Sequence, residues 1–342
     1  MLNHFIKKNR RVQYAIAPLL TALLIGSLVP RTAAQSKPSV VVTTALLCDV
    51  TKQIAQDTVD LKCLIDAGSD PHTYQIKAGD RKAIETAKLI LYSGYDFEPQ
   101  LIKAIETTSN PAPKVAINEL AVPKPQTFEE DGKTENDPHV FHSATNAVAI
   151  TKAIGKELAV LQPNQTALYA KNAEKLSEEF SQIDRWIKAQ IATIPVEKRK
   201  LVTTHDAFGY YSSAYSIPVI GALQGISTEE QPTAKRVAEL VREIKTSKVP
   251  TIFVELTSNP KLLQAVAREA KVKVAEQELF ADGIGEPGSV AETYAKMLIV
   301  NTKTIVTGLG GTFTEFKLST SRPQASKLQA IPQQTLVRPG RR

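Results

Sequence analysis

The chain has 342 residues but only two cysteines, two methionines, one tryptophan and five histidines. Two cysteines exclude a disulfide-built mini-scaffold and a multi-thiolate zinc site. No GxxxxGK[ST] phosphate loop occurs, so nothing marks the chain as a P-loop ATPase. No HExxH signature of a helical zinc hydrolase occurs either. The formal charge of +7 has eleven of its bases in the two ends, which hold no acid, so residues 35–316 carry −4. A body of that sign offers no extended phosphate-binding surface, and nucleic acid is not an expected partner. After the first 34 residues no run is long and apolar enough to span a bilayer. What remains is ordinary globular composition, 42% hydrophobic and 23% charged, at a length that suggests about two domains.

The two ends read differently from the middle. Residues 1–34 have the order of an export signal: Lys7, Lys8, Arg10 and Arg11, then an apolar run from Tyr14 to Val29, then Thr32-Ala33-Ala34. Small residues at −3 and −1 predict cleavage after Ala34 and a periplasmic mature protein. No cysteine stands at the junction for a lipid anchor. Residues 317–342 mix Ser, Gln, Pro and Arg without hydrophobic period and read as a mobile basic tail.

Between the ends, short β-branched or apolar runs alternate with helical patterns. Strands are expected at residues 39–46, 60–65 and 89–92, and again near 201, 217–220, 251–255 and 272–275, with amphipathic helices among them. Such alternation implies βαβ units with parallel sheets. The pattern runs twice, which predicts an N-terminal α/β lobe over 35–162 and a C-terminal one over 196–316. From Pro163 to Pro195, Leu168, Leu176, Phe180, Ile183, Ile187 and Ile191 form one apolar stripe, the mark of a long linking helix. The polar, acidic stretch from Pro123 to Asp137 is expected to be a surface loop.

Four histidines remain after the signal. His72 and His139 stand in the same tripeptide, Asp-Pro-His, and His205 follows the first expected strand of the second lobe. A preceding proline stiffens the turn that carries the imidazole. Loops at strand ends are where open α/β sheets gather ligands. Neutral imidazole suits Zn²⁺ and other first-row divalent ions, and three of them with one carboxylate would close a four-ligand site. Spacing alone leaves convergence open, and for any single histidine a structural role remains the alternative. His142 is expected near the surface at a helix start, with an accessory place at the site as the other reading. Asp206 and Glu255 are candidates to orient imidazoles. Cys48 and Cys63 are free to pair or to stay buried thiols.

Five stretches give the chain a family likeness: Asp70-Pro71-His72-Thr73-Tyr74, Asp137-Pro138-His139-Val140-Phe141, His205-Asp206-Ala207-Phe208-Gly209-Tyr210, Phe253-Val254-Glu255-Leu256-Thr257-Ser258-Asn259-Pro260 and Asp282-Gly283-Ile284-Gly285-Glu286-Pro287-Gly288. In this order they resemble the cluster A-I metal-binding proteins of ABC transporters, the zinc- and manganese-uptake receptors. The resemblance runs from about Val40 to Gly310. It implies two α/β lobes with parallel sheets, joined by one long backbone helix, with a metal between the lobes. Carried over motif by motif, the ligands are His72, His139, His205 and Asp282. Manganese receptors of this type usually have Glu where this chain has His205, and nitrogen there favours Zn²⁺ over Mn²⁺. The His-rich run common before the second ligand in zinc receptors is replaced here by acids.

The resemblance further implies a divalent metal ion as transported substrate, a cognate ABC permease with a separate ATPase subunit, and a monomer without catalytic activity. Zinc is the expected ion, with manganese or iron as the alternative. A zinc-dependent hydrolase and a metal-binding adhesin are the readings from other classes.

Overall fold

The computed structural model describes residues 36–130, 133–229 and 231–319. The expected export signal and the tail beyond Ser319 lie outside the described residues. The fold begins with β1 (Ser39–Val42), whose three valines are fully buried. Branched side chains buried on both faces are what a central parallel strand requires. It pairs in parallel with β2 (Asp60–Cys63) on one side and β3 (Leu89–Tyr92) on the other, and β3 pairs with β4 (Lys114–Ala116). The first sheet therefore has the order β2-β1-β3-β4. Its crossovers are α1 (Ala45–Ala55), α2 (Ala78–Thr86) and α3 (Pro99–Thr107), and a short α4 (Ile117–Ala121) follows β4.

The second half repeats the scheme. β7 (Leu201–Thr203) pairs in parallel with β8 (Val219–Ala222), and β9 (Thr251–Ile252) with β10 (Lys273–Val274). The Phe253 N–H donates to Val202 O (2.9 Å) and so joins the two ladders. The spatial order β8-β7-β9-β10 matches that of the first half. Helices α7 (Gly209–Tyr215), α8 (Ala234–Ser247), α9 (Pro260–Ala270) and α10 (Tyr294–Gly308) complete it.

A hairpin and two helices lie between the two halves in sequence. The segment expected as a loop holds an antiparallel hairpin, β5 (Thr127–Glu130) with β6 (Lys133–Asn136), followed by α5 (Ala144–Leu161). The long helix α6 covers Thr166–Ala192, 27 residues, or about 40 Å at 1.5 Å each. Of the expected stripe, Leu176, Phe180, Ile183, Ile187 and Ile191 are buried, and Leu168 is half-buried. α6 packs on α1 and α5 of the first half and on α7 and α10 of the second. Against α5 the approach is close: a Cβ on Gly155 would lie 3.0 Å from the Ala173 Cβ. One hydrophobic core accordingly runs from Val40 to Leu309 through both halves.

The tail does not leave the body at Lys317. Trp186 Nε1–H donates to Thr314 O (3.0 Å), and Gln182 Nε2–H donates to Ser319 O (3.1 Å), so residues 312–319 run back along α6. Cys48 in α1 and Cys63 at the end of β2 form a disulfide. No described helix is long and apolar enough to cross a membrane.

Candidate metal centre

Three of the four candidate ligands come after strands of the two parallel sheets, on the edge where open α/β sheets bind ligands, and the fourth comes after the hairpin. His72 follows β2, His139 follows β6, His205 lies two residues past β7, and Asp282 follows β10. All four are buried, and one donor atom from each lies within 4.8 Å of the others. His139 Nε2 stands 3.3 Å from His72 Nε2 and 3.4 Å from His205 Nε2. Asp282 Oδ1 is 3.5 Å from His72 Nε2, 3.5 Å from His139 Nε2 and 3.0 Å from His205 Nε2. The sequence-derived set is thus brought together whole.

Local chemistry explains the orientation of each ring. In both Asp-Pro-His turns the aspartate Oδ1 accepts the backbone N–H of the histidine two residues on, at 2.9 Å in each case. These are Asx turns, which fix the loop before the imidazole leaves it. Asp137 Oδ1 also accepts the ring Nδ1–H of His139 (2.9 Å). The Glu255 carboxylate accepts the ring Nδ1–H of His205, together with the backbone N–H groups of Thr204 (3.1 Å) and His205 (3.2 Å). A carboxylate can only accept, so the remaining Nε2 of each ring turns its lone pair inward. Thr257 Oγ1–H donates to Asp282 Oδ2 (2.8 Å), which leaves Oδ1 to face the nitrogens.

Of the two proposed orienting acids, Glu255 therefore does so and Asp206 does not. Asp206 holds its loop through its backbone N–H to Gly225 O (3.0 Å). Asp137 takes the role for His139 that was not read from the sequence, although the repeated Asp two residues before His was the available signal. Gly209 of the His-Asp-Ala-Phe-Gly stretch makes room for it, because a Cβ there would meet Asp137 Oδ2 at 2.8 Å.

Burial works against charge on all of these groups, and the partners decide the outcome. Burial disfavours a charged His205, but Asp282 and Glu255 outweigh it and hold its pKa well above the ordinary 6.5. His139 is likewise raised, by Asp137 and Asp282 against burial. Burial pushes Asp282 upward, yet His205 and the other two imidazoles hold it well below 3.8. The same carboxylates that favour positive charge on His205 would favour a cation among the four donors, and Asp282 Oδ1 has no hydrogen-bond partner among the described residues.

His142 departs from the expectation of a surface residue. It is fully buried, donates Nε2–H to Ala281 O (2.8 Å) and stacks on Phe208 with ring centroids 4.4 Å apart. Burial and the neighbouring His139 push its pKa down to about 3, so it is a neutral ring.

A two-lobed α/β fold with three imidazoles and a carboxylate converging between parallel sheets defines a metal-binding solute receptor of an ABC transporter. The chain belongs to the family described as zinc-uptake complex component A, periplasmic, whose profile matches residues 40–308. It is 35% identical over 282 residues to the zinc-binding protein TroA of Treponema pallidum, covering 81% of this chain and 90% of that protein. It is 31% identical over 284 residues to the manganese ABC transporter substrate-binding lipoprotein PsaA of Streptococcus mitis, covering 81% and 91%. The solved structure of the periplasmic zinc-binding protein TroA superposes with a TM-score of 0.76 at 34% identity, over 80% of this chain and 99% of that one.

Proposed function

We propose that the protein captures Zn²⁺ outside the inner membrane, through His72, His139, His205 and Asp282, and delivers it to a membrane permease served by a separate ATPase subunit. The observation that carries this reading is the spacing of the donor atoms. A tetrahedral zinc site with bonds of about 2.0–2.1 Å has donor–donor edges of about 3.3–3.4 Å. Five of the six edges here measure 3.0, 3.3, 3.4, 3.5 and 3.5 Å. Three nitrogens and one oxygen suit zinc better than manganese, which favours oxygen-rich sets. Manganese is the second reading, favoured by the name of the streptococcal relative.

Four protein ligands complete a tetrahedral shell and leave no position for a reactive water, which supports a carrier over a zinc hydrolase. Residues 1–34 would direct export and be removed after Ala34, giving a monomeric periplasmic receptor. Residues 35–162 and 196–316 would form its lobes, and 163–195 its brace. The test is calorimetric titration of the metal-free protein from Gln35 onward with Zn²⁺ and Mn²⁺, separately and in competition. One zinc bound tightly, not displaced by manganese and lost in His205→Ala, is the expected result. Preferential manganese binding would overturn the zinc assignment, and no tight binding of either ion would overturn the site.

A further inference from the structure

The His142 ring touches three of the four segments that carry the candidate ligands. It stands three residues after His139, in the 3₁₀ turn Val140–His142 of the first half. Its Nε2–H reaches Ala281 O, the carbonyl directly before Asp282, and its face lies on Phe208, three residues after His205. Phe141 closes the other side, with ring centroids 4.8 Å apart. Its Nδ1 is buried and has no hydrogen-bond partner among the described residues. A buried lone pair left unpaired is a cost that an apolar side chain of similar size would avoid. The compensating feature is the bond to Ala281, which crosses from one half to the other.

Other bonds also bridge the seam. Gly68 N–H donates to Ile284 O (3.0 Å), Thr228 Oγ1–H to Asp70 Oδ2 (2.6 Å), and Tyr294 O–H to Phe141 O (2.6 Å). The His142 bond is the bridge whose acceptor sits in the peptide unit preceding Asp282. Thr257 fixes the outer oxygen of that carboxylate, and His142 fixes the backbone from which it extends.

We propose that His142 is a positioning residue, a latch between the halves that holds the Asp282 carboxylate in register with the three imidazoles and so sets how long the ion is retained. This rests on the receptor reading above. The donor and the ring are separable. His142→Phe keeps the stacked ring and removes the donor, whereas His142→Gln removes the ring and keeps an N–H at a similar reach.

The experiment measures zinc dissociation from the loaded full-length mature protein into excess chelator, with the visible spectrum of the Co²⁺-loaded protein as a report on ligand geometry. His142→Phe should release zinc about tenfold to a hundredfold faster and shift the Co²⁺ bands, while His142→Gln stays within about threefold of the parent. Melting of the metal-free variants separates this from loss of fold; if the Phe variant does not fold, the Gln variant still decides. Parent-like release from His142→Phe, or equal losses in both variants, would overturn the latch while leaving the receptor intact. A parent that binds no zinc would overturn both.

Discussion

Replacing Glu255 with glutamine should weaken zinc binding without unfolding the protein. The side chain is fully buried and accepts from Thr204 N, His205 N and the His205 ring. Glutamine keeps the size and one accepting oxygen but removes the negative charge. That charge lies about 6 Å, one imidazole away, from the centre of the donor set; at an effective dielectric of about 20 it is worth about 2.8 kcal/mol per unit of opposite charge. A proton on His205 is favoured by the same carboxylate, but a divalent ion carries twice the proton's charge. The difference left for the metal is about one charge, or close to a hundredfold in affinity. Carboxylates that orient metal-binding imidazoles are worth about tenfold to a hundredfold when removed, which brackets the same range. Competition against a zinc-chelating dye at fixed pH gives the number directly. An affinity within about threefold of the parent, in a variant that melts normally, would refute the argument that Glu255 acts on the ion through His205.

Three further outcomes are expected. Zinc should raise the melting temperature more at pH 8 than at pH 5.5. The raised His205 pKa stabilises the metal-free chain fully below 6.5 and loses that contribution as pH rises through the folded value, whereas metal binding strengthens by about 1.4 kcal/mol per pH unit for each proton the metal must displace. A zinc-induced shift that is flat or shrinks with pH would contradict this. Glu98 is buried with its pKa pushed up to about 7 by desolvation, so the parent should lose stability between pH 4.5 and 7 as the carboxyl is forced to ionise. Metal-free Glu98→Gln should melt progressively higher than the parent across that window, and parallel curves would count against it. Finally, the disulfide closes a 15-residue separation, worth about 3 kcal/mol in the chain-entropy picture. The double variant Cys48→Ser/Cys63→Ser should lower the urea midpoint correspondingly and keep one zinc per chain, and an unchanged midpoint would show the bridge to be stabilising nothing.

The three histidines were legible as candidates because a rare residue type in short, stiff contexts carries much information, whereas their convergence and the place of Asp282 came from the resemblance to the receptor family. The long helix was legible from the large apolar residues at Leu176, Phe180, Ile183 and Ile187. Of helix α5 only the start near His142 was read, because beside Ile150, Ile154 and Leu158 its buried face is Ala144, Ala147, Thr151 and Gly155, small residues that blur the hydrophobic stripe. They are small because α6 packs so close, which is tertiary information. The hairpin was hidden in the same way: Thr127–Glu130 and Lys133–Asn136 are polar, and its base is pinned by Gln126 N–H donating to Tyr210 Oη (2.8 Å), 84 residues away. His142 read as a surface residue because polarity predicts exposure, and its acceptor lies 139 residues on. The strap over α6 lacks a period because it is extended backbone held by Trp186, Gln182 and Gln190.

Each half of the chain supplies two of the four proposed ligands, and the halves share one strand order. The cargo would therefore be a cross-link, joining residues as far apart in sequence as His72 and Asp282. Neither half alone could keep it, and drawing the halves apart by a single ångström would stretch several coordination bonds together. Under that reading a permease would have a seam between two halves to act on, as well as the ion itself, and loosening that seam would weaken several coordination bonds at once.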